Sequence, residues 1–352
     1  MPVTTTYPGV YVEELPNLSL SIAGGTTAVP VIAGEAGDLT LAKPVRLNSW
    51  LDFVTAAGEA DFSKTLHVGV RAYFENGGGY CYLLAADKFA AEVQKMDDVT
   101  LLVAAGQDIA GAMNTLCGSE KGRFAILDGP ATEMTTSTTI PADAYPDSMH
   151  AAAYYPWLQA DWATTPIPPS AAVAGLYCSV DRERGVWKAP ANVSLKGGLR
   201  SRFQVSEALQ GKFNTGKAIN MIREFNGKGA VVWGARTLQD SDDWRYISIR
   251  RLFDTAQRDI KKAMRFAVFE PNSHPTWERV RSAVDNYLHS IWRQGGLMGS
   301  SPQEAYFVQV GKDVTMTADD VEQGKMNVKI GMAAVRPAEF IILQFTQEVG
   351  RG

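Results

Sequence analysis

The histidines and cysteines are the residues of this sequence best suited to chemistry, and their spacing predicts no metal site. The four histidines show neither a metal-ligand spacing nor a partner carboxylate motif, so each is predicted to be a surface or packing residue. They are His67, His150, His274 and His289. The three cysteines are far apart and odd in number, which predicts buried free thiols and argues against a disulfide framework or a zinc site. They are Cys81, Cys117 and Cys178.

Signatures of nucleotide binding and of familiar hydrolases are absent from the sequence. Gly77-Gly78-Gly79 is a glycine-rich candidate, but it precedes a strand-like run, whereas a phosphate-binding loop must open a helix. It is therefore predicted to end a helix and turn the chain. No catalytic residue, cofactor or metal is predicted, although many active sites leave no local motif.

Two charged clusters need partners or solvent. Residues 181–184 read Asp-Arg-Glu-Arg, and alternating signs over four residues predict a solvated turn that is paired within itself. Arg250-Arg251 stands at a predicted helix start, where cations are disfavoured. These arginines are expected to have carboxylate partners elsewhere in the protein or on a neighbour, with Asp240, Asp242 or Asp243 as intrachain candidates. Trp233 and Trp244 nearby favour a packed corner inside the fold.

The bulk composition is that of an ordinary two-domain protein. The chain has 352 residues, 45% of them hydrophobic, and a net charge of −4. It lacks an apolar run long enough to span a membrane and a secretory signal, so synthesis in the cytoplasm without a signal peptide is expected. Residues 201–352 carry 21 Lys and Arg against 17 Asp and Glu, whereas residues 1–200 carry 13 against 21. This predicts two surfaces that face different surroundings, but no basic run of the type that binds nucleic acid.

The first part of the chain alternates strand-like and helix-like segments. Apolar, β-branched runs predict strands at 27–33, 80–84, 99–104 and 124–127. Amphipathic segments predict helices at 49–58, 65–75 and 109–117, and 131–149 is predicted to be a surface loop. Strands that alternate with helices indicate a layered α/β domain over residues 25–200.

The second part has a different pattern and is predicted to form another domain over residues 201–333. Helices are predicted at 215–225, 251–269 and 277–292. A strand is predicted from Gly229 to Trp233-Gly234, and further strands at 305–310, 325–333 and 340–346.

Extended arms are predicted at both ends, over residues 1–24 and 334–352. Tyr7, Val10, Tyr11 and Val12 are strand formers, but Pro and Gly isolate them from the rest of the chain. Such an arm either packs on its own domain or adds a strand to the sheet of another chain. Pro16, Gly24 and Gly25 are the predicted hinge. The C-terminal arm residues are Phe340, Ile341, Ile342, Leu343 and Phe345.

Several stretches together resemble the tail sheath family of contractile phages and related injection systems. They are 7–14 (Tyr-Pro-Gly-Val-Tyr-Val-Glu-Glu), 168–175, Asp181, 184–192, 219–223, 232–238, 244–246, 250–253 and 335–342. The positions that carry the resemblance most clearly are Trp187, Trp233, Gly234, Arg236, Arg250, Arg251, Pro337 and Glu339. In length and local sequence the chain is most similar to sheaths of extracellular contractile injection systems of the antifeeding-prophage type.

The resemblance implies a two-domain tail-sheath-like fold and a structural role, with no enzyme activity and no cofactor. Family members form stacked hexameric rings around an inner tube, and their arms add strands to the sheets of neighbouring subunits. Contraction from a metastable extended state would drive the tube through a target membrane. The expected partners are copies of this chain, the inner tube protein, and baseplate and terminator or cap proteins.

The resemblance also leaves particular expectations for this chain. The edge that receives the arms is expected at 325–333, and the basic half is expected to face the tube. The particle is expected to be released from the cell, without insertion of this chain into a membrane. Two alternatives stay open: a baseplate or cap component of the same machine, and an α/β enzyme whose pocket would join Asp181, Arg184, Arg236 and Arg245.

Overall fold

The structure is a computed structural model of the chain, and it describes residues 22, 24–35, 41–118, 120–141 and 143–341. The described residues fall into two compact units. The larger unit contains Gly25–Arg258 and the described part of Ala334–Gly352, and the smaller contains Asp259–Ala333 with residues 22 and 24. The sequence had predicted a boundary near residue 200. The boundary differs because residues 219–232 form strands that pair into the sheet of the first domain.

Thirteen strands and ten α-helices lie within the described residues. The strands are β1 (Pro30–Gly34), β2 (Val45–Leu47), β3 (Cys81–Ala85), β4 (Leu101–Val103), β5 (Phe124–Asp128), β6 (Ala151–Tyr155), β7 (Leu158–Gln159), β8 (Val193–Ser194), β9 (Arg200–Ser201), β10 (Ile219–Phe225), β11 (Gly229–Val232), β12 (Tyr306–Gln309) and β13 (Lys329–Met332). The helices are α1 (Trp50–Ala57), α2 (Thr65–Glu75), α3 (Phe89–Glu92), α4 (Ala110–Leu116), α5 (Pro169–Arg184), α6 (Glu207–Lys212), α7 (Ile247–Ala263), α8 (His274–Arg293), α9 (Pro302–Ala305) and α10 (Ala318–Glu322).

A nine-stranded sheet organises the larger unit, in the order β2-β3-β1-β4-β5-β6-β10-β11-β8. The six strands from β3 to β10 are parallel. At the edges, β2 pairs antiparallel with β3, β11 pairs antiparallel with β10, and β8 pairs antiparallel with β11. Both edge strands are very short, with three residues in β2 and two in β8. Short edge strands offer little backbone to another chain, so this sheet is poorly suited to accept a long added strand.

The parallel strands form because they are apolar on both faces. Every residue of β1 is buried, as expected for a strand covered on both sides. Ile32 and Val103 contribute to the core on one face, and Val31 and Leu102 to the core on the other. The result is a three-layer α/β arrangement, which confirms the predicted fold class.

Helix α5 is the central helix of this unit, and the sequence did not predict it. Eleven of its sixteen residues are buried, so it lacks the amphipathic pattern by which surface helices are recognised. Residues 181–184 form its last turn. Residues 182–184 are exposed, as predicted, but Asp181 pairs with Arg251 and not within the turn. The Asp181 side chain is only 3% exposed.

Strand β10 also corrects the sequence analysis, which predicted a helix over 215–225. The segment contains good helix formers, but Ile219 to Ile222 are all buried, and Ile219 to Met221 pair in parallel with β6. Burial on both faces of a sheet outweighs helix propensity here.

Most other predicted elements agree with the structure within a few residues. Helix α2 has the predicted bounds, and Ser49 caps α1 by accepting a hydrogen bond from Asp52 N. Helix α7 begins earlier than predicted, at Ile247, and a 3₁₀ helix, Met264–Ala267, follows it. After α2 the amide of Gly78 donates to the Tyr73 carbonyl, so the glycine triplet ends a helix as predicted.

The smaller unit is built on α8 and a two-stranded antiparallel sheet of β12 and β13. Trp277, Val310 and Met316 form a small core cluster in this unit. Among the described residues, no third strand pairs with β12 or β13. Within the same residues, no helix has the length and apolarity needed to cross a membrane.

Candidate assembly site: the roots of the two predicted arms

The N-terminal root, Thr26-Thr27, is the point where the chain joins the larger unit. The Thr27 hydroxyl donates to the Asp181 carboxylate at 2.6 Å, and the Thr27 carbonyl accepts from Arg251 at 3.2 Å. The Thr26 carbonyl accepts from the Arg258 guanidinium at 3.1 Å. These contacts fix the root to α5 and α7, immediately after Gly24-Gly25.

A buried ion pair lies behind this root. Arg251 donates to both oxygens of Asp181, at 3.0 and 2.6 Å, and the two side chains are 4% and 3% exposed. The Arg251 guanidinium also lies over the Tyr177 ring, 4.7 Å from its centre. Burial opposes the charge of Arg251, but the carboxylate of Asp181 outweighs it and raises the pKa of the guanidinium.

The neighbouring Arg250 has a separate partner. It pairs with Asp254 one turn along α7 at 2.8 Å, and it lies 4.2 Å from the centre of a Trp244 ring. The aspartates suggested by the sequence, Asp240 and Asp242, pair with Arg245 instead. The arginines at the helix start therefore do have carboxylate partners inside the fold, but those partners are not the predicted ones.

The C-terminal root is Glu339, whose side chain is bound by residues of the larger unit. Arg236 donates to both of its carboxylate oxygens, at distances of 2.7 to 3.1 Å. The Tyr246 hydroxyl donates to the same carboxylate at 3.2 Å, and the Asn214 amide donates at 3.3 Å. The side chains of Arg236 and Glu339 are 9% and 22% exposed.

The sequence analysis did not identify Asn220, which holds the backbone of Arg236. The Asn220 side chain accepts from the Arg236 amide at 2.7 Å and donates to the Arg236 carbonyl at 2.8 Å. Gly234 lies so close that a Cβ atom there would be 2.8 Å from the Asn220 amide oxygen, which explains a glycine at this position. A polar residue within the apolar run from Ile219 to Ile222 was the available signal.

The other signature positions lie in packed turns or near the surface. Trp187 covers Gly185, where φ is +94° and a Cβ would be 2.4 Å from the indole. Trp233 is 37% exposed and packs against Phe225.

Pro337 is half-buried, and Gly24 and Gly25 are exposed. Phe340 and Ile341 are 71% and 79% exposed and lie outside any strand. The remaining predicted arm and hinge residues fall outside the described residues: Tyr7, Val10, Tyr11, Val12, Pro16, Ile342, Leu343 and Phe345.

The carboxyl edge of a parallel sheet is where α/β enzymes bind ligands, and here a buried carboxyl group is used for internal bonding. Asp128, at the end of β5, accepts from the amide and hydroxyl of Ser170 and from the amide of Gly106. Burial raises its pKa to about 6, and these hydrogen bonds oppose the rise. The network joins the start of α5 to the end of β4.

The hypothetical enzyme pocket is not assembled. Asp181 pairs with Arg251, Arg236 with Glu339, and Arg245 with Asp240, and Arg184 is exposed. Across the described ranges, no group of three or more His, Cys, Asp or Glu side chains is arranged to hold a metal ion. Cys81 and Cys178 are buried free thiols, and Cys117 is half-buried.

Comparison with protein families matches residues 77–348 in two parts. Residues 77–238 match the phage tail sheath protein central domain, and residues 239–348 match the phage tail sheath C-terminal domain. The chain belongs to the phage tail sheath family. The junction of the two family domains falls between β11 and α7, inside the larger compact unit.

Solved sheath structures resemble the chain over its whole length. A chain of the sheath complex of an extracellular contractile injection system (PVC), in the contracted state, is 56% identical, with a TM-score of 0.91 and 99% of each chain covered. The contracted helical sheath of the antifeeding prophage is 43% identical, with a TM-score of 0.82, and covers 98% of this chain and 100% of that one.

A putative prophage major tail sheath protein of Pseudomonas aeruginosa (strain UCBPP-PA14) is 26% identical over 94% of this chain and 86% of its own length. The family prediction and its injection-system subgroup are therefore confirmed. These relatives are contractile sheath proteins, and none of them supports the enzyme alternative.

Proposed function

We propose that the chain polymerises as stacked hexameric rings around an inner tube, and that contraction of this sheath drives the tube through a target membrane. The observation that carries the proposal is 56% identity, over the full length of both chains, to a contractile sheath subunit. Chains that are 43% and 46% identical occur in antifeeding-prophage baseplate structures, so the terminal ring would contact a baseplate. A terminator or cap protein would close the other end. The particle would assemble from subunits made without a signal peptide and act outside the cell.

The smaller unit offers the surface on which strand addition would occur. Strands β12 and β13 form a two-stranded sheet that packs against α8 and has no third strand among the described residues. Strand β13 lies in the predicted receiving segment, 325–333. The arms of neighbouring copies would supply the missing strands, with main-chain hydrogen bonds along the edge and apolar side chains that set the register.

The fixed roots support a tether role for the arms. Gly24 and Gly25 precede a root that is bound to α5 and α7, so backbone rotation at the glycines would leave that root unchanged. Subunit bodies would then move during contraction while the arms keep neighbours connected. The stored free energy of the extended state, and not nucleotide hydrolysis, would supply the work.

The distribution of charge does not support the expectation that the C-terminal half faces the inner tube. The basic excess of that half lies in residues 201–258, with ten Lys and Arg against six Asp and Glu, and these residues belong to the larger unit. Residues 259–333 have nine of each. The surface that faces the tube is therefore better sought by cross-linking than by net charge.

Negative-stain electron microscopy of the full chain, with and without the inner tube protein, tests the proposal. A chain without residues 1–20 is the matched control. Long striated tubes from the full chain, and only small particles from the truncated one, are expected. Discrete particles from both, even with the inner tube present, would contradict assembly through the N-terminal arm.

A further inference from the structure

The first part of the C-terminal arm, residues 335–341, is held to the rest of the chain by few side-chain hydrogen bonds. Residues 335–341 form no helix or strand. Their side-chain hydrogen bonds to other described residues converge on one group, the Glu339 carboxylate. Phe340 and Ile341, which follow it, are largely exposed. The direction in which the chain leaves the body is therefore set at Glu339.

Arg236 is built to fix that direction as well as the position. A guanidinium that donates to both oxygens of a carboxylate constrains the plane of the carboxylate, whereas an ammonium group constrains only distance. The guanidinium is itself immobilised, because it also donates to the Asn214 carbonyl. The amide and the carbonyl of Arg236 are both held by the side chain of Asn220, the second residue of β10.

The fold of the larger unit has its own means of holding Arg236. Asn220 joins Arg236 to β6 through the Ala153 carbonyl, and an isolated bridge pairs Arg236 with Tyr246. Neither contact involves Glu339. The N-terminal root differs, because Thr27 leads within three residues into the buried strand β1. Glu339 stands seven residues after the end of β13 and is held to the larger unit through its ion pair with Arg236.

We propose that Arg236 is the positioning residue of the C-terminal arm: its ion pair with Glu339 fixes the point and direction from which the arm leaves the body, so that the arm reaches a neighbouring copy of this chain. The inference rests on the proposed sheath function. Pulling on the arm would then load β10 and the parallel sheet through Arg236.

Two full-length variants test the inference before assembly. Glu339→Gln keeps the shape of the side chain and removes its charge. Arg236→Lys keeps the charge but removes the planar guanidinium that donates to both carboxylate oxygens. Proteolytic cleavage of the unassembled chain within residues 335–341 is expected to become about tenfold faster or more in both, with no change in amide hydrogen exchange of β6 and β10. Tyr246→Phe, which removes a single hydrogen bond, should give a smaller rise in the cleavage rate.

The assembly measurement distinguishes a positioning role from a purely structural one. Both variants are expected to need about a tenfold higher protein concentration than the unmodified chain to form pelletable tubes. When the root detaches, water reaches the Arg236 guanidinium, so the midpoint of thermal unfolding should fall less in these variants than in a variant that breaks the fully buried pair between Arg251 and Asp181. Asp161→Asn, which breaks the exposed pair between Asp161 and Arg200, is the control and should assemble normally.

Normal assembly of Glu339→Gln would overturn the inference, as would faster exchange throughout β6 and β10. If the unmodified chain forms no tubes even with the inner tube protein present, the sheath proposal fails, and the cleavage rate within residues 335–341 still decides whether Arg236 holds the root.

Discussion

At the scale of single residues, α7 carries two adjacent arginines that are each nearly removed from water and paired with a carboxylate. Arg250 and Arg251 are 5% and 4% exposed, and their partners Asp254 and Asp181 are equally buried. Removal of two charges from water is costly, and close pairing only offsets that cost. Loss of one partner is a different matter, because it leaves an uncompensated charge in the core.

Asp181→Asn should therefore destabilise the fold strongly. The Arg251 guanidinium would keep its charge and lose its counter-ion, and the expected cost is about 3–5 kcal/mol of the free energy of unfolding. Urea unfolding followed by circular dichroism measures the loss. The matched control is Asp161→Asn at the exposed pair with Arg200, which should not change the midpoint measurably. Equal stability of the two variants would contradict a structural role for the buried pair.

Asp128 predicts a pH dependence with a definite sign. Its pKa is raised from an ordinary value of 3.8 to about 6, so the folded chain binds this proton more tightly than the unfolded chain. The contribution to stability is complete below about pH 4 and is lost as the pH rises through about 6, with a maximal size of about 3 kcal/mol.

The variant that isolates this effect is Asp128→Asn. Its unfolding free energy should vary less with pH between 4 and 6 than that of the unmodified chain. Its amide nitrogen would face the Gly106 amide, two donors without an acceptor, so a loss of about 1–3 kcal/mol is expected in acid. Identical pH profiles of the two proteins would show that Asp128 does not titrate in this range.

The partners of these charges were beyond what the sequence could predict. The unfavourable position of two arginines at a helix start indicated that carboxylates must exist. However, Arg251 and Asp181 are 70 residues apart, and Arg236 and Glu339 are 103 apart. Only the packing of the sheet and helices brings such residues together, so motifs identified both ends of each pair without indicating the pairing.

At the scale of elements, the sequence predicted those whose signals are local. A serine cap marks the start of α1, a glycine turn follows α2, and β-branched runs mark β1, β4 and β5. The sequence did not predict α5 and β10, which are surrounded by buried apolar residues on all sides. A helix buried all round and a strand buried on both faces share a continuous apolar run, and periodicity cannot separate them.

The close approach of α2 and α5 predicts opposite effects for two glycine-to-alanine changes. A Cβ at Gly175 in α5 would lie 2.2 Å from the Tyr73 carbonyl oxygen, whereas nothing lies within 4 Å at Gly111 in α4. Alanine gains about 0.5–1 kcal/mol in a helix, but overpacking costs about 1–3 kcal/mol or more. Gly175→Ala should therefore lower the thermal midpoint, and Gly111→Ala should leave it equal or raise it. A stabilised Gly175→Ala would show that the two helices separate easily.

At the scale of the whole molecule, both roots belong to one compact unit, and the sheet that invites additional strands belongs to the other. Force that entered one root and left by the other would cross a parallel sheet with two apolar faces, which is the most protected part of the chain. The smaller unit has a core cluster of its own, but its two strands have no third strand beside them among the described residues. In the proposed sheath, the unit that holds both arm roots would stay folded while arms from neighbouring copies add strands to the other unit.

Hydrogen exchange of β12 and β13 tests that division directly. In the unassembled chain the outward amides of both strands have no partner strand among the described residues, so they should exchange rapidly. In assembled tubes, added strands would protect them by about tenfold or more, since exchange then requires an arm to detach. The amides of β1 and β4 are the internal control, because they are paired on both sides in either state and should remain slow. Protection that appears in β2 or β8 instead would mean that the arms extend the edges of the large sheet, and the receiving surface would then lie in the other unit.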